Sequence, residues 1–256
     1  MTTQFTAEVF QNQFLTQGSR EVHAIMTVNA GEATETSTRV SGEQLFGIIC
    51  DTSGSMGGQK IRSAKDAMIK AVNMLPEAAH FFIVTGASQA RLVVPLTQAT
   101  ADSKQQAIAN IRSIESSGGT LISTWLSAAL KQFQQMPTAI RQALLLTDGQ
   151  NDESDEKAFD RALQACEGVF QCDCRGVGTD WRVGQLKLIS SKLLGTTDII
   201  ADPTMIEADF QTILQQAMGK NISDVSMRLW TPQGAKFYFA SKLAPILLIS
   251  PIALNR

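Results

Sequence analysis

The stretch that decides the fold is residues 45–58, with the sequence LFGIICDTSGSMGG. Its first half is a continuous apolar run, which is typical of a parallel strand buried on both faces. Its second half begins at Asp51 and carries Ser53 and Ser55 among glycines. Ligands of open α/β sheets bind beyond the carboxyl ends of the strands, so this stretch predicts a strand that delivers a polar loop to a binding edge.

Short apolar runs and amphipathic helical patterns alternate from residue 45 to about residue 218. Such alternation predicts βαβ units and a parallel sheet covered on both faces. The predicted strands are 45–50, 79–86, 91–96, 139–146, 169–176 and 197–201, and the predicted helices are 59–75, 101–114, 121–133, 155–166, 183–194 and 204–218. Segment 91–96 is predicted to be an edge strand, where Pro95 is tolerated. The predicted fold class is α/β, with a doubly wound, mostly parallel sheet flanked by helices.

The two ends of the chain have a different pattern. Residues 21–28 and 225–230 alternate polar and apolar side chains, as half-solvated antiparallel strands do. Neither end alone has enough strands to be stable, so we expect the two ends to pair as a small antiparallel β-subdomain. The predicted organisation is N-terminal strands of this subdomain in 1–42, the α/β domain in 43–220, and C-terminal strands of the subdomain in 221–256.

Composition limits the classes of function. The chain has 256 residues, 18% of them charged, which is typical of a soluble globular protein with a sizeable core. Its 22 basic and 24 acidic residues leave no excess of positive charge to displace counterions, so we expect no nucleic-acid partner.

Cellular location is also an expectation from sequence. The strongly apolar stretch 243–254 is interrupted by two prolines and is too short to span a bilayer, so we expect no membrane partner. The first residues lack the basic and apolar regions of a secretory signal. The cysteines form no disulfide framework and are predicted to be reduced, structural thiols: Cys50, Cys166, Cys172 and Cys174. The expected location is the cytoplasm.

Oxygen donors gather at the ends of predicted elements. The first strand of the α/β region leads into Asp51, strand 139–146 runs into Thr147-Asp148-Gly149, and helix 121–133 follows Gly118-Gly119-Thr120. Glycines beside these donors permit turns that aim several side chains at one point. The candidate metal ligands are Asp51, Ser53, Ser55, Thr120 and Asp148.

An oxygen-only donor set selects a hard cation. A compact set completed by water suits six-coordinate Mg²⁺, with Mn²⁺ as a substitute, whereas Ca²⁺ prefers more ligands. Two carboxylates balance one divalent ion, and a metal that they hold partly through water remains electrophilic. The natural occupant of the remaining position is an Asp or Glu carboxylate of another protein. We therefore expect a metal-bridged protein-binding site and no enzyme activity.

The spacing of these donors resembles a known motif. Asp51-x-Ser53-x-Ser55, followed by Thr120 and Asp148, is similar to the metal-ion-dependent adhesion site (MIDAS) of the von Willebrand factor A (integrin I-type) domain family, in its stand-alone bacterial intracellular form. The resemblance covers residues 44 to about 220. It implies that the two serines and the threonine are direct ligands, and that the carboxylates act directly or through water. It also implies that ligand capture can shift the last helix, 204–218.

Other interpretations of the same residues remain open. Ser53 or Ser55 could cap the first helix of the α/β region, and Thr120 the helix that follows it. The acidic run 151–156 predicts a helix start capped by its own residues, or a border of the binding face that selects the partner. Loop 176–180 is interpreted as a helix cap, because it lacks the third glycine of a phosphate-binding loop.

Two alternative functions are considered. One is a Mg²⁺-dependent phosphotransferase of the haloacid-dehalogenase type, which is disfavoured because Ser53 stands where such an enzyme needs an acid/base Asp. The other is a structural domain whose site stays empty in the cell.

Overall fold

The computed structural model describes residues 5–12, 14–15, 17–30, 42–178 and 183–220, and the single residues 230, 234 and 236. The chain divides into two units, Met1–Val40 and Ser41–Arg256. The predicted pairing of the two ends depends on residues 221–229 and 237–256, which lie outside the described residues, so it stays a prediction.

The N-terminal unit contains a two-stranded antiparallel sheet. Strands β1 (Phe5–Gln11) and β2 (Ala24–Ala30) pair from end to end, with Phe10 opposite Ile25. Strand β2 therefore begins three residues later than the predicted strand 21–28 and continues to residue 30. Two strands alone are marginally stable in water.

The larger unit contains a six-stranded sheet in the order β5-β4-β3-β6-β7-β8. Its strands are β3 (Gln44–Asp51), β4 (His80–Gly86), β5 (Ala90–Gln98), β6 (Ile140–Thr147), β7 (Gln171–Val177) and β8 (Thr197–Ile200). All neighbours pair in parallel except β4 and β5, which are antiparallel. Strand β5 lies at the edge, as Pro95 predicts. The predicted mostly parallel α/β fold is confirmed.

Helices cover both faces of this sheet. They are α1 (Gln59–Met74), α2 (Ala101–Arg112), α3 (Ile122–Phe133), α4 (Glu156–Cys166), α5 (Val183–Lys192) and α6 (Ile206–Met218). The pleat of β3 sends Phe46, Ile48 and Cys50 into the core under α1, α2 and α6. It sends Leu45 and Ile49 into the core under α3, α4 and α5. Helix α6 begins two residues later than predicted because Pro203–Met205 forms a 3-10 turn.

All four cysteines are buried free thiols, as expected. The sulfurs of Cys172 and Cys174 lie 4.0 Å apart, because residues two apart in a strand share one face. None of the helices in the described part of the chain is long and apolar enough to cross a membrane.

The strand order creates a switch point at β3. The chain passes from β3 to β4 on one side, whereas β6 lies on the other side of β3. Connections that leave neighbouring strands in opposite directions open a crevice at their carboxyl ends. The loops that follow β3 and β6 therefore face each other across this crevice.

Candidate metal centre

Three loops bring the five predicted ligands to the crevice. Asp51 is the last residue of β3, and Asp148 directly follows β6. Ser53 and Ser55 belong to the loop after β3, which forms a 3-10 turn over Gly54–Met56. Thr120 precedes α3.

The five side chains form one cluster. The hydroxyl oxygens of Ser53 and Ser55 lie 3.0 Å apart, and Ser55 Oγ donates to Asp148 Oδ1 at 2.7 Å. A Cβ atom at Gly149 would lie 3.2 Å from Thr120 Oγ1, 3.5 Å from Asp51 Oδ2 and 3.7 Å from Ser55 Oγ. The cluster thus brings together residues that lie up to 97 positions apart in the chain. Their role as metal ligands stays a prediction.

Burial and hydrogen bonds hold Asp51 in place. Its residue is fully buried, and its two carboxylate oxygens accept from the backbone N–H of Ser53 at 2.7 Å and from the hydroxyl of Thr147. Burial raises the pKa of Asp51 above its ordinary value, and the hydrogen bonds from Thr147 and Ser53 oppose that rise. The negative charge of Asp148 adds to the rise, because two close carboxylates resist joint ionisation.

Asp148 has a basic partner that the sequence interpretation missed. The carboxylate is buried, and its Oδ2 atom pairs with the ammonium group of Lys60, in the first turn of α1. The Lys60 stem passes Gly178, where a Cβ atom would lie 3.7 Å from Lys60 Cε. A lysine at the start of a helix carries no local signal of this contact, because its partner lies on another loop.

Backbone hydrogen bonds join the three loops. Gly54 N–H donates to Gly118 O at 3.0 Å, and Ser117 N–H donates to Thr52 O at 2.7 Å. The carbonyl of Thr120 accepts from Asp152 N–H at 2.9 Å. These hydrogen bonds between the loops therefore fix the positions of the candidate metal ligands.

The helix-cap interpretation of the candidate ligands is wrong. Helix α1 follows Gly58 and α3 follows Leu121, and neither start has a side-chain cap from its flanking residue. Ser53 precedes the 3-10 turn and makes no side-chain cap there. The hydroxyls of the cluster are thus not committed to helix starts.

Two residues of the acidic run cap α3 from another loop. Asn151 Oδ1 accepts from Ile122 N–H at 2.8 Å, and Asp155 Oδ2 accepts from Ser123 N–H at 2.9 Å. Both residues are buried. Only Asp152 acts as the predicted local cap, accepting from Ser154 N–H at 2.8 Å. Asn151 and Asp155 therefore fix the Thr120 loop against the Asp148 loop, which the sequence interpretation missed.

The donor chemistry fits a hard divalent cation. The cluster supplies two carboxylates and three hydroxyls, and oxygen ligands of this kind suit Mg²⁺ or Mn²⁺. No cluster of three His, Cys, Asp or Glu side chains that could hold a metal occurs among the residues that the structure describes. A cation beside Gly149 would therefore depend on hydroxyl oxygens as well as carboxylates.

Known proteins share this architecture. A von Willebrand factor type A protein from Catenulispora acidiphila matches with a TM-score of 0.83 and 37% identity, over 91% of this chain and 54% of that one. An uncharacterised protein of Synechocystis is 24% identical over 188 residues, which are 71% of this chain and 43% of that protein. This chain thus spans about half the length of these relatives.

A third match carries a metal. Proximal thread matrix protein 1 from the mussel byssus, solved with zinc in its MIDAS motif, has a TM-score of 0.54 and 20% identity, over 70% of this chain and 46% of that one. At this identity the likeness is one of fold. The family model of the von Willebrand factor type A domain matches residues 47–199, which include the whole donor cluster. Domains of this family often bind a divalent metal and take part in protein–protein interactions, and this chain belongs to the von Willebrand factor type A domain family.

Proposed function

We propose that this protein is a metal-dependent binding module that captures a carboxylate of a partner protein through Mg²⁺, with Mn²⁺ as a substitute. The ligands would be Asp51, Ser53, Ser55, Thr120 and Asp148. The observation that carries the proposal is the convergence of these oxygen donors on the space beside Gly149.

The charges of the cluster suit capture of an acid. Two carboxylates balance a divalent ion, and three neutral hydroxyls add ligands without adding negative charge. A bound metal would therefore keep its attraction for an outside carboxylate, which is the one chemical property that it supplies. Ser55 is exposed, whereas Ser53, Asp51 and Asp148 are buried, so the cluster is open to an approaching oxygen on the side of Ser55.

The chain's own residues prepare this attraction. Thr147 and the backbone of Ser53 orient the Asp51 carboxylate, and the caps from Asn151 and Asp155 hold the Thr120 loop. Preorganised donors bind a ligand with less loss of conformational freedom. The zinc-occupied MIDAS motif of the mussel protein supports the proposal, since that protein has the same fold.

We propose that the protein has no enzyme activity and is located in the cytoplasm. Ser53 cannot act as the carboxylic acid that a haloacid-dehalogenase-like phosphatase requires two residues after its nucleophile. The four buried free thiols are compatible with a reducing compartment. The net charge of -2 disfavours binding to nucleic acid. We therefore propose neither a nucleic-acid partner nor a membrane partner.

A metal titration with a matched control tests the proposal. Thr120→Ala removes a proposed ligand, whereas Thr124→Ala removes a hydroxyl that is outside the proposed ligand set and donates to the Leu121 carbonyl. We expect Mn²⁺ to bind the wild type and Thr124→Ala alike, and Thr120→Ala at least about tenfold more weakly, because one hydrogen-bond-strength ligand is worth about 1.4 kcal/mol or more. Equal binding to all three proteins would refute the assigned ligand set.

Capture of a partner is the second part of the test. Immobilised wild-type protein is incubated with native lysate in Mg²⁺ or in EDTA. We expect a protein that is retained in Mg²⁺, released by EDTA and not retained by Thr120→Ala. Retention that is independent of metal would contradict capture through Mg²⁺.

A further inference from the structure

The ion pair between Lys60 and Asp148 places a positive charge of the chain on a proposed metal ligand. The Asp148 side chain has no exposed surface, whereas the Lys60 side chain keeps 27% of its surface exposed. Ser55 Oγ donates to the other carboxylate oxygen at 2.7 Å. Both oxygens of Asp148 are thus engaged by groups of the protein itself.

We propose that Lys60 competes with the divalent metal for Asp148 and thereby sets the metal concentration at which the site loads. This inference rests on the proposed function, because it concerns the regulation of the same site. Lys60 neutralises Asp148 when no metal is bound and opposes the metal when it enters.

The buried carboxylate of Asp148 needs a positive charge nearby. A buried carboxylate without a compensating charge is strongly unfavourable. Asp51 lies in the same cluster, and its neighbouring negative charge increases the need. The ammonium of Lys60 meets it without any outside ion.

The side chain of Lys60 can move away from Asp148. The lysine side chain is partly exposed, and its four-carbon stem is flexible. The stem passes Gly178, where a Cβ atom would lie 3.8 Å from Nζ, so no side chain of that residue stands over the ammonium. A change of rotamer can therefore move the ammonium group away from Asp148 and toward water.

The positive charge of Lys60 should lower the affinity of the site for a divalent metal. A divalent ion and an ammonium group that share one carboxylate repel each other, and even the dielectric constant of water leaves an effect on the order of tenfold in affinity at such separations. Removal of the lysine charge should therefore tighten metal binding. A lysine that only braced the loop would have the opposite effect, because its loss would loosen a ligand.

The experiment compares Lys60→Gln with Lys70→Gln. Lys70 lies on the same helix and pairs with Glu207 at 3.1 Å, with about half of its side chain exposed, so it controls for loss of a helix charge. The probe is Mn²⁺ alone, with free Mn²⁺ measured by electron paramagnetic resonance. We expect Lys60→Gln to bind Mn²⁺ at least about tenfold more tightly than the wild type, and Lys70→Gln to match the wild type.

Unfolding in EDTA supplies a readout that needs no metal. Lys60→Gln should have a lower urea midpoint than Lys70→Gln, and Lys60→Arg, which keeps the charge, should recover most of the difference. Wild-type Mn²⁺ affinity in Lys60→Gln would overturn the competition while leaving the proposed function intact. Absence of Mn²⁺ binding in every variant would overturn both. Weaker binding in Lys60→Gln would assign a bracing role to Lys60 instead.

Discussion

Replacement of Gly149 by alanine would place a methyl group among the proposed metal ligands. The added Cβ would lie 3.2 Å from Thr120 Oγ1, 3.5 Å from Asp51 Oδ2 and 3.7 Å from Ser55 Oγ. Gly149 is not among the glycines with positive φ, so its backbone accepts an alanine. The substitution therefore tests the space between the donors with little change elsewhere.

The expected magnitudes follow from these contacts. The 3.2 Å contact is tight, and the threonine hydroxyl must move by a few tenths of an ångström. Overpacking of this kind costs about 1–3 kcal/mol, and we expect the low end because only one contact is short. Donors that bind Mg²⁺ must approach it to about 2.0–2.1 Å, and a methyl group in the space they share prevents this. Gly149→Ala should therefore fold but fail to bind the metal.

Thermal unfolding separates the two effects. A metal at 100 times its Kd stabilises the wild type by about 2.7 kcal/mol, which raises the Tm by roughly 5–10 °C for a chain of this size. Gly149→Ala should show no rise with Mn²⁺. In EDTA its Tm should fall by only about 2–4 °C per kcal/mol of overpacking.

The control is Gly184→Ala. Gly184 lies in α5, and an added Cβ would meet nothing within 4 Å. We expect Gly184→Ala to fold like the wild type and to keep the full response to Mn²⁺, because the added methyl group meets no neighbouring atom. A wild-type response to Mn²⁺ in Gly149→Ala would refute the placement of the metal beside this residue.

Three further predictions concern the core and the loop framework. Gly47→Ala should lower the free energy of unfolding by about 3 kcal/mol or more, measured in urea, because its Cβ would lie 2.4 Å from an aromatic ring of the core. Asp155→Ala should cost about 2–3 kcal/mol and weaken Mn²⁺ binding, whereas the exposed Asp160→Ala should do neither, since only Asp155 accepts from the backbone and hydroxyl of Ser123. Iodoacetamide at pH 8 should leave the native thiols unmodified until urea unfolds the chain, because burial removes access and raises the pKa of Cys166 to about 12. Early labelling, measured by mass spectrometry, would contradict this.

Helix α6 is held at its C-terminal end by polar side chains. Gln44 Nε2 donates to the carbonyls of Met218 at 3.0 Å and Lys220 at 3.1 Å. Lys220 Nζ in turn donates to the side chains of Gln142 and Gln171. A ligand-driven shift of this helix, which the family resemblance implies, would have to break these bonds at about 0.5–1.5 kcal/mol each.

The layered fold was predictable because its signals are local. A continuous apolar run such as residues 45–50 is typical of a strand that is covered by helices on both faces. The apolar residues of α1 recur every three or four positions, which marks one buried face of a helix. The boundaries were missed where a proline or a polar residue changed the local geometry, as at Pro203 before α6.

The amino-acid sequence by itself determined the kind of fold, the edge position of β5 and the oxygen donors that lead from the strand ends. Only the tertiary structure decided that Lys60 pairs with Asp148, and that Asn151 and Asp155 cap α3. The physical reason is separation along the chain. A hydrophobic period repeats within one element, whereas a contact between charged or capping groups on different loops exists only after the strands have brought those loops together.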